Sequence, residues 1–130
     1  MQDNVSNTET LNQKLKDRDR VGLSEAGRYA LDQLVTDGHF KDHISGYRFA
    51  IASAILAKVD ASSHEVIWPS GHMYLVSQLD PDGVLCTTVE HLYPEYASIK
   101  VRHLERLADL GVQKLVDEVG AGKGLLYWEK

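Results

Sequence analysis

Six histidines and one cysteine are the side chains of this 130-residue sequence that best suit metal binding or nucleophilic chemistry. The histidines are His39, His43, His64, His72, His91 and His103. A metal site needs several nitrogen, sulfur or oxygen ligands that converge on one point. Cys86, His91 and His103 would converge only if the helices predicted to carry them packed face to face. We therefore expect hydrogen-bonded surface histidines, with no metal ligand and no cofactor.

The cysteine and a glycine-rich segment near the end of the sequence come closest to catalytic motifs. Cys86 lies in an apolar helical pattern, where a free cysteine usually behaves as a small buried hydrophobic residue and not as a nucleophile. Segment 120–124 reads GAGKG, but it lacks the glycine spacing, the Ser or Thr after the lysine, and the flanking strand and helix of a phosphate-binding loop. The sequence therefore predicts no catalytic residue, and we expect a protein that is not an enzyme.

Two consecutive helices are the clearest structural prediction. The first begins at Ser24, whose hydroxyl can cap free backbone N–H groups, and it ends at Asp37 and Gly38. The second covers about 43–59, with Asp42 or Ser45 as its cap. Its residues are apolar on most sides, which is typical of a helix buried in a core or at a subunit interface.

Strand and helix patterns follow in the second half of the chain. Residues 65–68 and 73–79 are β-prone and predict a short hairpin across a Pro-Ser-Gly-His turn. A third helix is predicted from Val84 to Tyr93, with Val84 and Leu92 among its apolar positions.

The fourth predicted helix is the longest and begins near Glu95 or Ser98 and reaches Val119. Its spacing places Glu105, Arg106 and Asp109 on the polar side of an amphipathic surface helix. Gly111 interrupts this helix and predicts a kink or a close helix crossing.

Segment 18–59 resembles the ribbon-helix-helix DNA-binding proteins, which have a short strand, a capped helix, a glycine-containing turn and an apolar second helix. Here the strand would be Arg18 to Leu23, and alternation puts Arg18 and Arg20 on its outer face. The resemblance implies a dimer whose paired strands enter the major groove, with Lys41, Ser45 and Gly46 as contacts to the DNA backbone. The alternative is that residues 14–20 are a solvated charged segment.

The order of elements is also similar to that of small DndE-type proteins of bacterial DNA phosphorothioation and defence loci. The features that carry this similarity are the Leu-Ser helix start, the two helices and the Asp-Pro-Asp-Gly turn at 80–83. The turn at 37–42 reads DGHFKD and departs from the Thr-Gly-x-Thr-Pro-Asn turn of that family. The similarity implies a link to DNA modification or defence, and it transfers no residue roles.

Aromatic and arginine side chains suggest where a protein partner would bind. Tyr47, Arg48 and Phe49 lie on the apolar second helix, and Tyr127 and Trp128 lie in a C-terminal extension. Such side chains are typical anchors of protein interfaces. Arg48 has three interpretations: a rim residue with its head in water, a partner of an acid such as Glu90 or Asp109, or a phosphate ligand.

Composition limits the class of protein. The net charge is −5, so the chain as a whole lacks the basic character that is usual for nucleic-acid binding. A single cysteine excludes an internal disulfide and fits a reducing cytoplasm. We find no apolar stretch that suits a signal peptide or a membrane span. We expect a polar tail at 1–16, one globular domain at 17–119 and an extension at 120–130.

The sequence thus predicts an α+β fold that is mostly α, with a ribbon-helix-helix-like N-terminal half, a short β-hairpin and two C-terminal helices. The first functional hypothesis is a small non-enzymatic interaction subunit of a larger bacterial assembly, linked to DNA modification or defence. The alternative is a dimeric ribbon-helix-helix-like DNA-binding protein or transcriptional regulator. If the arginines lie together on one face, DNA binding is favoured, and if they lie among acids, protein interaction is favoured.

Overall fold

The computed structural model describes residues 16–67 and 69–120, which form a mostly helical fold with a small two-stranded antiparallel sheet. The predicted tail and the extension with Tyr127 and Trp128 lie largely outside the described residues. In chain order the elements are β1 (Arg20–Val21), α1 (Glu25–Thr36), α2 (His43–Leu56), β2 (Tyr74–Leu75), α3 (Val76–Leu79), α4 (Val84–Leu92), a 3₁₀ helix (Pro94–Ile99) and α5 (Lys100–Gly120).

The caps of the first two helices agree with the prediction. The Ser24 hydroxyl accepts a hydrogen bond from the Gly27 N–H at 3.1 Å, which satisfies a free donor of the first turn of α1. Asp42 is the cap of α2, and its carboxylate accepts from the Ser45 N–H at 2.9 Å. Helix α2 ends at Leu56, before Lys58, whose positive φ of 55° breaks the helical backbone.

Helix α5 is the centre of the fold, because α1, α2 and α4 all pack against it. Its apolar residues Leu104, Leu107 and Leu115 are fully buried. Gly111 lies where α5 crosses α2, and a Cβ at this position would collide with the carbonyl oxygen of Ala50. The prediction of a close helix crossing at Gly111 is therefore confirmed.

The predicted hairpin between residues 65–68 and 73–79 is wrong. Strand β2 pairs with β1 in antiparallel orientation, with Arg20 opposite Leu75 and Val21 opposite Tyr74. Most of the predicted second strand is helix α3, where the Gln78 side-chain oxygen accepts from the Leu75 N–H at 3.0 Å. The predicted strand from Arg18 to Leu23 is only Arg20–Val21, and its described strand partner lies in the same chain.

Residues 16–24, here called the strap, run along α5 and make the polar face of this helix internal. Asp17 accepts from the N–H groups of Val101 and Arg102 at 3.1 and 2.9 Å, so it caps α5 from the far end of the chain. Glu105 and Asp109 are fully buried beneath the strap. The prediction that these residues face solvent is therefore wrong, because helical periodicity separates polar from apolar faces and does not show which segments cover them.

Candidate functional site

The residues predicted to contact DNA do not form one exposed group. Arg18 lies against α5, with its Nη1 2.7 Å from the Glu105 carboxylate and its Nη2 donating to the Val66 carbonyl at 3.2 Å. Arg20 and Lys41 are exposed, but they lie on different elements. The structure therefore separates Arg18 from Arg20, the two residues that the resemblance places on one outer face.

The start of α2 was predicted to bind phosphate through Ser45 and Gly46. The Ser45 N–H donates to the Asp42 carboxylate, and the Gly46 N–H donates to the Asp42 carbonyl at 3.3 Å. Gly46 is also buried, and a Cβ at that position would lie 2.6 Å from the Leu31 side chain. Both predicted donors are therefore already satisfied within the chain.

The predicted interface residues of α2 face the interior or other helices. Tyr47 is fully buried, and its hydroxyl donates to the Gly22 carbonyl at 2.8 Å. Burial raises the pKa of Tyr47 well above its usual value. Phe49 is half-buried and packs against Phe40 with ring centroids 5.4 Å apart. Neither aromatic ring of α2 is a freely exposed anchor.

Arg48 binds backbone oxygens and not the acids suggested by the sequence. Its Nε and Nη2 each donate at 2.8 Å, to the carbonyls of Leu79 and Gln78 respectively. These carbonyls end helix α3 and lack partners within that helix. Arg48 therefore ties α3 to α2 as a half-buried rim residue, and among the described contacts it makes no pair with Glu90 or Asp109, which was one of its alternative interpretations.

A row of buried acids on α5 is the strongest electrostatic feature of the described residues. Glu105 accepts from Arg18 and from the Gly22 N–H at 2.8 Å. Burial nevertheless raises the pKa of Glu105 to about 7, against the favourable effects of these two donors. One turn later, Asp109 accepts from both the N–H and the hydroxyl of Ser24 at 2.9 Å.

Asp109 also forms an acid–histidine pair, which is a common part of hydrolytic active sites. The Nε2 of His64 lies 2.7 Å from the Asp109 carboxylate, and the His64 side chain is partly exposed. Ser24 binds the carboxylate and not the imidazole, so the three groups do not have the order of a nucleophile, base and acid. The pair holds the loop before Val66 against α5, and His64 is a partly exposed, hydrogen-bonded histidine as the sequence predicted.

Cys86 is a buried thiol with no sign of activation. Burial, followed by the neighbouring Asp80, raises the pKa of Cys86 to about 12. The Asp80 carboxylate accepts from the N–H groups of Leu85 and Cys86, both at 2.9 Å, and so caps the start of α4. Within residues 16–67 and 69–120, no group of three His, Cys, Asp or Glu side chains could hold a metal ion.

Helix α4 leaves part of its apolar surface exposed. Val84, Thr88 and Leu92 follow one another at helical spacing, and we call them the α4 stripe. Val84 is 62% exposed and Leu92 is 54% exposed, whereas Cys86 and Val89 of the same helix are buried. The stripe lies along a shallow groove of about 350 Å³. Val84 and Leu92 are thus large apolar residues in contact with water, and polar residues including Thr88 and His91 line the groove beside them.

The stripe ends at a deeper cavity of about 600 Å³, which we call the histidine cleft. Its lining residues are Ile55, Lys58, Val59, Asp60, Ala61, Ser62, Leu92, Tyr93, Glu95, Tyr96 and His103. Leu92 belongs to both the stripe and the cleft, so the two form one surface.

His103 lies in the wall of this cleft and is the exception to the prediction of surface histidines. Its ring stacks on Tyr96 at 4.3 Å and lies 4.8 Å from the Tyr93 ring. Burial and then Arg106 lower the pKa of His103 to about 4, so the imidazole is neutral near pH 7. Its Nδ1 is buried and has no hydrogen-bond partner among the described residues.

A second cavity, of about 580 Å³, lies between α1, the start of α2 and residues 70–74. Its polar groups mostly pair with one another. The Asp32 carboxylate lies 2.9 Å from His43 and 3.4 Å from Arg28, and Arg28 donates to the Ser70 hydroxyl at 3.0 Å. This pairing favours a structural role for these side chains.

In comparisons with known proteins, no family model, no curated protein and no solved structure matches this chain. No helix of the described residues is long and apolar enough to cross a membrane.

Proposed function

We propose that this protein is a non-enzymatic interaction subunit that binds a partner polypeptide through the α4 stripe and the histidine cleft. The observation that carries this proposal is the exposed apolar surface that continues from Val84 through Leu92 into the cleft. A partner helix or extended segment that covered the stripe would remove Val84 and Leu92 from water, which is the main driving force of association. The cleft beside them would accept one large anchoring side chain.

The arrangement of cations favours this function over the DNA-binding alternative. Arg18 pairs with Glu105, and Arg28 lies 3.4 Å from Asp32. Glu65 lies within 3.7 Å of Arg102 and 3.2 Å of Arg106. Arginines that are neutralised by neighbouring acids add little to a DNA-binding potential. The net charge of −5 acts in the same direction.

The order of elements, which resembles that of DndE-type proteins, suggests the class of partner. On that resemblance, the partner would belong to a bacterial assembly for DNA modification or defence, and this chain would contribute a contact surface. Binding of duplex DNA to the purified protein, lost in Arg18→Ala with Arg20→Ala and weakened by salt, would favour the alternative function.

Selection of a displayed peptide library against the full chain tests the proposed surface. We expect selected peptides to carry aromatic or large aliphatic anchors and to bind Leu92→Glu about tenfold or more weakly than the wild type. The matched control is Ile67→Glu, because Ile67 is 64% exposed and lies outside both the groove and the cleft. Selected peptides that bind Leu92→Glu and Ile67→Glu equally well would contradict the proposed surface.

A further inference from the structure

The chemistry of the histidine cleft defines the kind of side chain that it can accept. One wall is apolar, with Ile55, Val59 and Leu92, and the neighbouring wall carries Tyr93 and Tyr96. The neutral imidazole of His103 adds a buried nitrogen without a partner. An aromatic side chain with a polar tip fits this combination, because its ring packs on apolar and aromatic walls while its O–H or N–H can donate. A modest rotation of the half-buried Tyr93 would open a path to His103, as side chains at interfaces commonly reorient on binding.

The chain itself carries two such side chains, Tyr127 and Trp128, outside the described residues. They stand in the segment Leu-Leu-Tyr-Trp-Glu-Lys, which also offers one acid and one base. The mouth of the histidine cleft presents Lys58 together with Asp60 and Glu95. The charged residues of the segment are therefore complementary to those around the cleft.

Chain length favours the cleft of another molecule over that of the same molecule. Helix α5 carries the backbone about 25 Å away from His103 before it ends at Gly120, at a rise of 1.5 Å per residue. From Gly120 a fully extended chain reaches only about 24 Å to Tyr127 and about 27 Å to Trp128. Binding within one molecule would therefore need a backbone that is almost fully extended after Gly120. A second molecule imposes no such limit.

We infer that residues 125–130 of one copy bind in the histidine cleft of a second copy, with Tyr127 or Trp128 as the anchor. This inference rests on the proposed function and names its partner as another copy of this chain. A reciprocal exchange of the two segments would give a closed dimer, whereas a one-way exchange would give longer chains of subunits.

Sedimentation velocity of the full chain over a wide concentration range measures this association. We expect a mass that rises above the monomer with concentration, and a dissociation constant about tenfold or more weaker in Leu92→Glu and in Tyr127→Ala with Trp128→Ala. Ile67→Glu is the matched control and should associate like the wild type. A synthetic peptide of residues 121–130 in excess should return the wild type to the monomer.

A mixing experiment separates exchange between molecules from binding within one. The Leu92→Glu variant has an altered cleft and an intact C-terminal segment. The Tyr127→Ala, Trp128→Ala variant has an intact cleft and a segment without its aromatic anchors. Each variant should remain monomeric alone. The mixture should form a heterodimer in which the intact segment of Leu92→Glu binds the intact cleft of the other variant. A monomeric wild type at every concentration, or an association that neither variant weakens, would overturn the inference. If library peptides still bind the cleft in that case, the proposed function stands and only the identity of the partner is wrong.

Discussion

Two polar regions of α5 differ in how their buried groups are satisfied. Beneath the strap, Glu105 and Asp109 accept hydrogen bonds from Arg18, Gly22 and Ser24. In the wall of the histidine cleft, His103 keeps a buried nitrogen without a partner among the described residues. The apolar residues Leu104 and Leu107 of α5 are fully buried, whereas Leu92 beside the cleft is more than half exposed.

The strap is therefore an internal contact, whereas the cleft is a surface with a buried polar group that no described residue binds. Buried polar groups in folded proteins nearly always have partners, because an unpaired group loses its bonds to water and gains nothing. The strap meets this requirement within one chain and therefore stabilises the fold. His103 does not meet it, and this nitrogen together with the exposed Val84 and Leu92 is why we assign binding to the cleft and structure to the strap.

Replacing Asp109 should have the largest effect on the strap. Asp109→Ala removes the acceptor of the Ser24 N–H, the Ser24 hydroxyl and His64 at once. We expect the free energy of unfolding, measured with chemical denaturant, to fall by about 3 kcal/mol or more, because a buried charged acceptor with several donors is lost. Asp117→Ala, an exposed acid on the same helix, should change it by about 0.5 kcal/mol at most. Equal effects of the two substitutions would contradict a structural role for the strap contacts.

Glu105 should make the stability of the strap depend on pH. Burial raises the pKa of Glu105 from 4.5 to about 7, so the folded protein holds this proton more tightly than the unfolded chain does. Its contribution to stability is therefore complete below pH 4.5 and is lost as the pH rises through 7. In Glu105→Gln this loss should disappear, so the stability of the wild type relative to the variant should fall by about 2 kcal/mol between these two pH values. A difference that stays constant with pH would contradict the raised pKa.

Local sequence signals are sufficient to predict the main helices and the residues that cap them. Ser24 and Asp42 are recognised because a cap needs only a side-chain oxygen and a free N–H two or three residues later. Gly111 is recognised because a glycine inside a strong helical pattern needs a packing reason. These features depend on neighbours in sequence, which is why they could be predicted.

Long-range pairing explains what the sequence did not reveal. Strand β2 has the same alternation whether it pairs with residues 65–68 or with Arg20–Val21, so its described partner could not be deduced. Glu105 and Asp109 have the helical spacing of a solvent face, and only the strap makes them internal. Val84 and Leu92 were assigned to the apolar side of their helix, but both are more than half exposed, because the buried side of α4 is the one that carries Cys86 and Val89.

The cleft should respond to pH in the opposite direction to the strap, with an effect of similar size. Burial and Arg106 lower the pKa of His103 from 6.5 to about 4, while Asp60 partly opposes this shift. The folded state thus favours the neutral ring, so the contribution to stability is present above pH 6.5 and is lost as the pH falls towards 4.

In His103→Phe this loss should disappear, because a phenyl ring can stack on Tyr96 without titrating. The unfolding free energy of the wild type relative to the variant should therefore fall by about 2 kcal/mol between pH 6.5 and pH 4, measured with denaturant at both pH values. Leu56→Phe, at an exposed position without a titrating side chain, is the control and should show no such change. Opposite pH slopes for Glu105 and His103 would show that burial disfavours the charged form of each side chain, the carboxylate beneath the strap and the imidazolium in the cleft. A slope at Glu105 of the same sign as that at His103 would show instead that Arg18 and the Gly22 N–H more than offset the cost of burying the carboxylate.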